Sequence, residues 1–132
     1  MKTIAARLVD GQDLMVEIKN LAKEHNIQAG VILSAVGSLR ESNIRVPVID
    51  CEVKMIRPKI LEIDSLQGTV SASGCHIHIS VSDVDGKVWG GHVKEGCIIR
   101  TTCELVIGII DDQRFSRETD ETTGFDELVI AG

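Results

Sequence analysis

Three of the four histidines in this 132-residue chain, His76, His78 and His92, fall inside CHIHISVSDVDGKVWGGHV, from Cys75 to Val93. Neutral imidazoles are among the commonest protein ligands for Zn²⁺, and three of them around one point leave a fourth position open. Ni²⁺, Fe²⁺ and Mn²⁺ suit such a set less well. Spread along a sheet, the same rings would be ordinary strand residues, or a hydrogen-bonded patch at a subunit contact. Strand register decides between these readings.

The turn between the two histidine-bearing runs fixes that register. A three-residue hairpin loop, a type I turn closed by a left-handed residue, favours Asp or Asn early and Gly at its end. DVDGK supplies both. With Val84-Asp85-Gly86 as the loop, Asp83 faces Lys87 and His78 lies directly opposite His92. A two-residue Asp85-Gly86 turn would slip the pairing by one and send His92 to the other face. The three-residue loop gathers Cys75, Ile77, Ile79, Val81, Trp89 and Val93 on one face, a coherent apolar set. The opposite face takes His76, His78, Ser80, Ser82, Gly90, His92 and Lys94, so this register is preferred. It places His76 about 7 Å from His78 and His78 about 5 Å from His92, measured between Cβ atoms. Gly90 and Gly91 leave room above the sheet beside them. Crowding depresses the proton affinity of at least one ring when no metal is present.

Other residues must hold this hairpin in place. Thr3 to Val9 reads as a first strand, and DGQDLMVEIKNLAKEHN as a helix with Leu14, Ile18, Leu21 and Ala22 on one stripe. Asp10 or Asp13 can cap its start, and His25 sits at its end as a solvated residue. From Ile27 onward short apolar or alternating runs recur between Gly, Pro, Asp and Ser. The expected architecture is α+β: a single antiparallel-rich β-sheet with one main N-terminal helix packed on a face. A polar stretch, DDQRFSRETDETTG, precedes a last apolar piece, with Phe115 expected to pin part of it to the body.

Composition narrows the classes of function. The length fits a single domain over residues 1–132 with its own core. A net charge of −6 makes autonomous nucleic-acid binding an unfavourable reading, because duplex affinity depends on Lys and Arg displacing counterions. Cys51, Cys75, Cys97 and Cys103 form no C-x-x-C pair, and Met1-Lys2 runs directly into an amphipathic pattern with no signal peptide read there. A cytoplasmic protein is expected, with no membrane partner, since no apolar run is long enough to cross a bilayer. No G-x-G-x-x-G, Walker-type loop or H-E-x-x-H occurs. Asp83, Asp85 and Gly86 lack the further acidic ligands of a calcium loop.

DGQDL, IQAGVILSAVGSLRE, LEIDSLQGTVS, the histidine segment through CELVI, and RFSRETDETTGFDEL together resemble the PPC domain, plant and prokaryote conserved. The resemblance covers almost the whole chain in order, and H-x-H through G-G-H is its most specific part. Plant members carry an AT-hook and belong to nuclear DNA-binding regulators. This chain is similar to the stand-alone prokaryotic type, without an Arg-Gly-Arg-Pro core. The resemblance implies a compact protomer of a homotrimer and, in prokaryotic members, a metal at the positions of His76, His78 and His92. Gly37, Ser38, Arg40, Gly90, Gly91 and Glu104 also match the family pattern.

Two classes of function stand at this point. In the first, Zn²⁺ or another divalent transition metal polarises an oxygen or activates water. Arg40 would dock a small anionic ligand, although a surface salt bridge is the commoner use of such a residue. Glu104 would act as a fourth ligand, tune the metal or move a proton, or else pair with a cationic neighbour at a trimer contact. In the second, the chain is a regulatory, protein-interaction module whose histidines are structural.

Overall fold

The computed structural model describes residues 1–132 and opens with β1 (Lys2–Val9) and α1 (Leu14–Glu24). Asp13 caps α1 as its spacing predicts: Oδ1 accepts from the Val16 N–H at 3.1 Å, satisfying an otherwise orphaned donor. Its Oδ2 accepts from the Gly96 N–H at 2.7 Å, tying the helix start to a distant loop. Asn26, in the left-handed region at φ +47°, ends the helix. There the Ile27 N–H reaches Ala22 O at 2.8 Å and the Asn26 N–H reaches Lys23 O at 3.1 Å, the paired bonds of a Schellman cap. Leu14, Met15, Ile18 and Ala22 are buried on one stripe, and α1 lays it against the sheet.

The strands that follow are β2 (Gly30–Glu41), β3 (Ile44–Arg45), β4 (Met55–Ile56), β5 (Leu61–Ser71), β6 (Gly74–Ser82), β7 (Val88–Val93), β8 (Ile98–Ile109), β9 (Arg114–Thr119) and β10 (Asp126–Ala131). Seven of them join β1 in one eight-stranded sheet, in the order β1-β8-β2-β5-β6-β7-β3-β4. Every pairing is antiparallel, so the expected α+β architecture with one main helix is the one observed. A core of 22 buried residues joins α1 to the inner face through Leu61, Ile63, Leu66 and Val70 of β5, Ile77, Ile79 and Val81 of β6, and Ile99, Cys103, Leu105 and Ile107 of β8. The period-2 alternation of these strands puts their polar residues on the outer face.

The polar stretch after β8 differs from the connector expected. Arg114–Thr119 is strand β9, paired with β10 in a separate two-stranded ribbon. Phe115 is buried as anticipated, and its backbone N–H donates to Gln28 O at 2.8 Å. Ser73 Oγ donates to Phe115 O at 2.9 Å, and Arg117 Nη2 donates to Thr69 Oγ1 at 3.0 Å. These contacts fasten the ribbon beside the His76 end of β5 and β6. No helix is long and apolar enough to cross a membrane.

Candidate metal centre

The β6–β7 turn adopts the predicted three-residue form. The Asp83 N–H donates to Lys87 O at 2.9 Å and the Gly86 N–H to Asp83 O at 3.0 Å, with Gly86 at φ +78°. The Asp83 carboxylate knits the turn further: Oδ1 accepts from the Asp85 and Lys87 N–H groups, and Oδ2 from the Trp89 indole at 3.1 Å. The indole hydrogen bond is the largest influence holding the Asp83 carboxyl below its usual range. Lys87 Nζ sits over the Trp89 ring, 4.1 Å from its centroid.

That turn places His78 opposite His92, Ser80 opposite Gly90 and Val81 opposite Trp89. Ile77, Ile79, Val81 and Val93 are buried beneath, while His76, His78 and His92 share the outer face. Their ring centroids lie 5.0, 4.9 and 5.6 Å apart, and one potential ligand atom from each falls within 4.8 Å of the other two. His76 Nε2 and His78 Nε2 are 3.2 Å apart, one N–H donating to the other ring's lone pair. A tetrahedral ion with Zn–N bonds of 2.0–2.1 Å separates its ligands by about 3.3 Å. These two nitrogens therefore stand at nearly the spacing a shared ion requires, with a proton where the ion would sit.

Burial and neighbouring positive charges favour the neutral form of two of the rings, His76 and His92. Burial pushes His92 down to about 4, reinforced by Lys94, Arg45 and the two neighbouring imidazoles. His76 is lowered by burial, then by His78, Arg117 and Arg45, against an opposing pull from Glu127. A neutral imidazole retains the lone pair that a metal needs. His92 Nδ1 is moreover buried without a hydrogen-bond partner, an arrangement that costs a folded protein about 1–3 kcal/mol. Nitrogen donors alone, one pair of them at near-tetrahedral spacing, and an unpartnered buried ring nitrogen fit a borderline-soft divalent metal.

Beside the rings is a recess of about 340 Å³ lined by Ser65, Gln67, His78, Ile79, Ser80, Gly90 and Gly91. Gly91 is required there for a reason other than roominess. At φ +155° its backbone lies where a Cβ would stand 2.5 Å from Arg45 O and 2.9 Å from Ile44 Cγ2. The absent side chain lets β3 approach β7 closely, and Arg45 pairs directly with His92.

Arg40 and Glu104 lie elsewhere. Arg40, at the end of β2, forms an ion pair with Asp10, which holds the Asp10 carboxyl below its usual range. Glu104, exposed on β8, faces Arg7 of β1 and Val36 of β2. Two strands separate β8 from β6, so about 14 Å lies between Glu104 and the histidine strand at ~4.8 Å per strand. Cys97 and Cys103 are buried and Cys51 is exposed. The Cys75 thiol, raised by its burial, points to Ser71 O. No cysteine joins the cluster. Sequence reasoning missed the charged residues that do surround it: Arg45, Arg117 and Glu127. Arg45 belongs to a strand of two residues, too short for any alternation to reveal.

Fold and site together define an antiparallel α+β domain with a three-imidazole cluster on the outer face of its sheet. The chain belongs to the Plants and Prokaryotes Conserved (PCC) domain family, which matches residues 1–111, the family its sequence resembles. It is 42% identical over 130 residues to the bifunctional protein GlmU of Synechococcus sp. (strain JA-2-3B'a(2-13)), covering 98% of this chain and 20% of that protein. The chain thus spans about a fifth of the length of that relative. A hypothetical protein from Salmonella cholerae-suis has the same fold, with a TM-score of 0.91, 34% identity, and 99% of this chain and 94% of that one covered. The metal-containing protein AF0104 from Archaeoglobus fulgidus superposes with a TM-score of 0.84 at 31% identity, over 98% of this chain and 94% of its own.

Proposed function

We propose that this chain binds a divalent transition metal, Zn²⁺ foremost, through His76, His78 and His92. The observation that carries this reading is the convergence of three imidazole donors within 4.8 Å, two of them kept neutral by their surroundings. The likeness to a metal-containing protein supports it. Bound there, Zn²⁺ supplies a Lewis acid with one open position. The chain's own residues orient the rings, disfavour protonation of His76 and His92 and leave a polar recess at their side.

The functional unit in this reading is a homotrimer. Leu33 and Val36 stand 48% and 60% exposed. Leu33 joins Val31, Ala35 and Leu66 along a recess of about 660 Å³, apolar surface of the kind copies of a chain cover. Nucleic acid is not assigned as a direct partner, because the net charge of −6 opposes phosphate binding.

The test is elemental analysis of protein purified without a histidine tag, before and after exposure to Zn²⁺. One ion per chain, lost on replacing His76 and His78 with Ala, supports the reading. Absence of a stoichiometric metal and of any uptake overturns it and leaves the interaction-module reading. Light scattering after size exclusion checks the trimer, which a monomer mass would reject. A gel-shift titration against salt checks the last point, and tight DNA binding near physiological ionic strength would contradict it.

A further inference from the structure

Two guanidiniums flank the cluster from opposite sides, and neither belongs to an ion pair. Arg45 stands directly across from His92 on β3. Arg117 reaches over from the β9–β10 ribbon and donates to Thr69, whose strand partner is His76. Both are half-buried, and the ion pairs of the protein lie at Asp111, Glu95, Asp10 and Glu41 instead. Lys94, exposed two residues beyond His92, adds a third positive group, and Glu127 is the acidic residue that acts on His76.

A dication held by three neutral rings brings two positive charges to a place where the protein already has two half-buried cations. Glu127 offsets one charge at most. Half-buried guanidiniums keep their charge and present several N–H donors in a planar fork suited to carboxylate and phosphate oxygens. The missing negative charge must therefore come with the ligand.

We propose that the open position of the three-histidine centre takes the oxyanion group of a small molecule, a carboxylate or a phosphate, clamped by Arg45 and Arg117. Ser65, Gln67 and Ser80 in the adjoining recess receive the neutral, hydrogen-bonding remainder of that molecule. The volume of about 340 Å³ limits it to the lower end of ligand sizes. Arg40, bonded to Asp10, has no part in this subsite. The inference rests on the metal reading above and deepens it by naming the ligand class.

The experiment loads the full-length protein with Co²⁺ and follows its visible absorption, first on Co²⁺ addition and then on titration with glycolate, inorganic phosphate or neutral ethylene glycol. Co²⁺ uptake tests the metal reading alone: absence of uptake overturns both claims. With Co²⁺ bound, a saturable spectral change with glycolate or phosphate, and none with ethylene glycol, is expected. Which anion is preferred assigns the carboxylate or the phosphate. Arg45→Gln and Arg117→Gln should each weaken that anion by about tenfold or more, with Co²⁺ stoichiometry and circular dichroism unchanged. Arg45→Lys should recover part of the loss. A bound Co²⁺ indifferent to both anions, or anion affinities unchanged in both folded glutamine variants, overturns this inference and leaves the metal reading standing.

Discussion

Gly91→Ala tests how β7 is held against β3, and through it how His92 is placed. The added Cβ would stand 2.5 Å from Arg45 O and 2.9 Å from Ile44 Cγ2, at a backbone φ of +155°. Ordinary contact begins about 0.9 Å further from that oxygen, and the oxygen is backbone, so a strand must shift. Overpacking of this kind costs about 1–3 kcal/mol, and a non-glycine residue in a sparsely populated backbone region costs about 1–3 kcal/mol more. Gly11→Ala separates the two contributions, because Gly11 has φ +90° with nothing within 4 Å of its would-be Cβ. In urea unfolding followed by the fluorescence of Trp89, the chain's one tryptophan, Gly91→Ala should lose about 1–3 kcal/mol more than Gly11→Ala. Zn²⁺ affinity should fall in Gly91→Ala alone, since only that substitution moves the His92 strand. Equal stability losses with Zn²⁺ binding intact in both would refute the close-approach argument.

Ile77, fully buried beneath His76 and His78, should cost about 2–5 kcal/mol when cut to Ala; a loss well under 1 kcal/mol in chemical denaturation would mean the inner face is loosely packed. In metal-free protein, ring-nitrogen NMR should find His92 titrating at about 4 and His76 below the ordinary 6.5. Between pH 6.5 and 4 the unfolded chain takes up a proton that folded His92 refuses, so stability should decline as pH falls through that window. A His92 midpoint at or above 6.5 would contradict this. Glu104→Gln and Arg40→Gln should leave metal stoichiometry unchanged, because two strands intervene between Glu104's strand and β6 and Arg40 is bonded to Asp10. Loss of metal in either variant would place that residue at the site after all.

The histidine hairpin was legible because its register depends on local chemistry. Asp83 early and Gly86 late select the loop, and the apolar alternation through Ile77, Ile79 and Val81 selects the face. α1 was legible for similar reasons, since Asp13 and the stripe from Leu14 to Ala22 act within one element. The β9–β10 ribbon was not. Apart from Phe115, strand β9 is polar, and what holds it is tertiary: Phe115 to Gln28, Ser73 to Phe115, and Arg117 to Thr69. Arg45 was missed because β3 has two residues and gains its place only by pairing with β7. For Arg40 a surface salt bridge was the commoner expectation beside anion docking, and an ion pair is what the structure has; the identity of its partner was not legible. Asp10, thirty positions earlier in the chain, becomes that partner only once β1 and β2 flank β8.

The central claim is that one ion joins the three rings. A crystal grown with Zn²⁺ and measured on both sides of the zinc absorption edge tests it most directly. An edge-dependent anomalous peak within about 2.1 Å of one ring nitrogen from each of His76, His78 and His92 is the predicted result. Ordered imidazoles with no such peak between them, or a peak held by other residues, would contradict it.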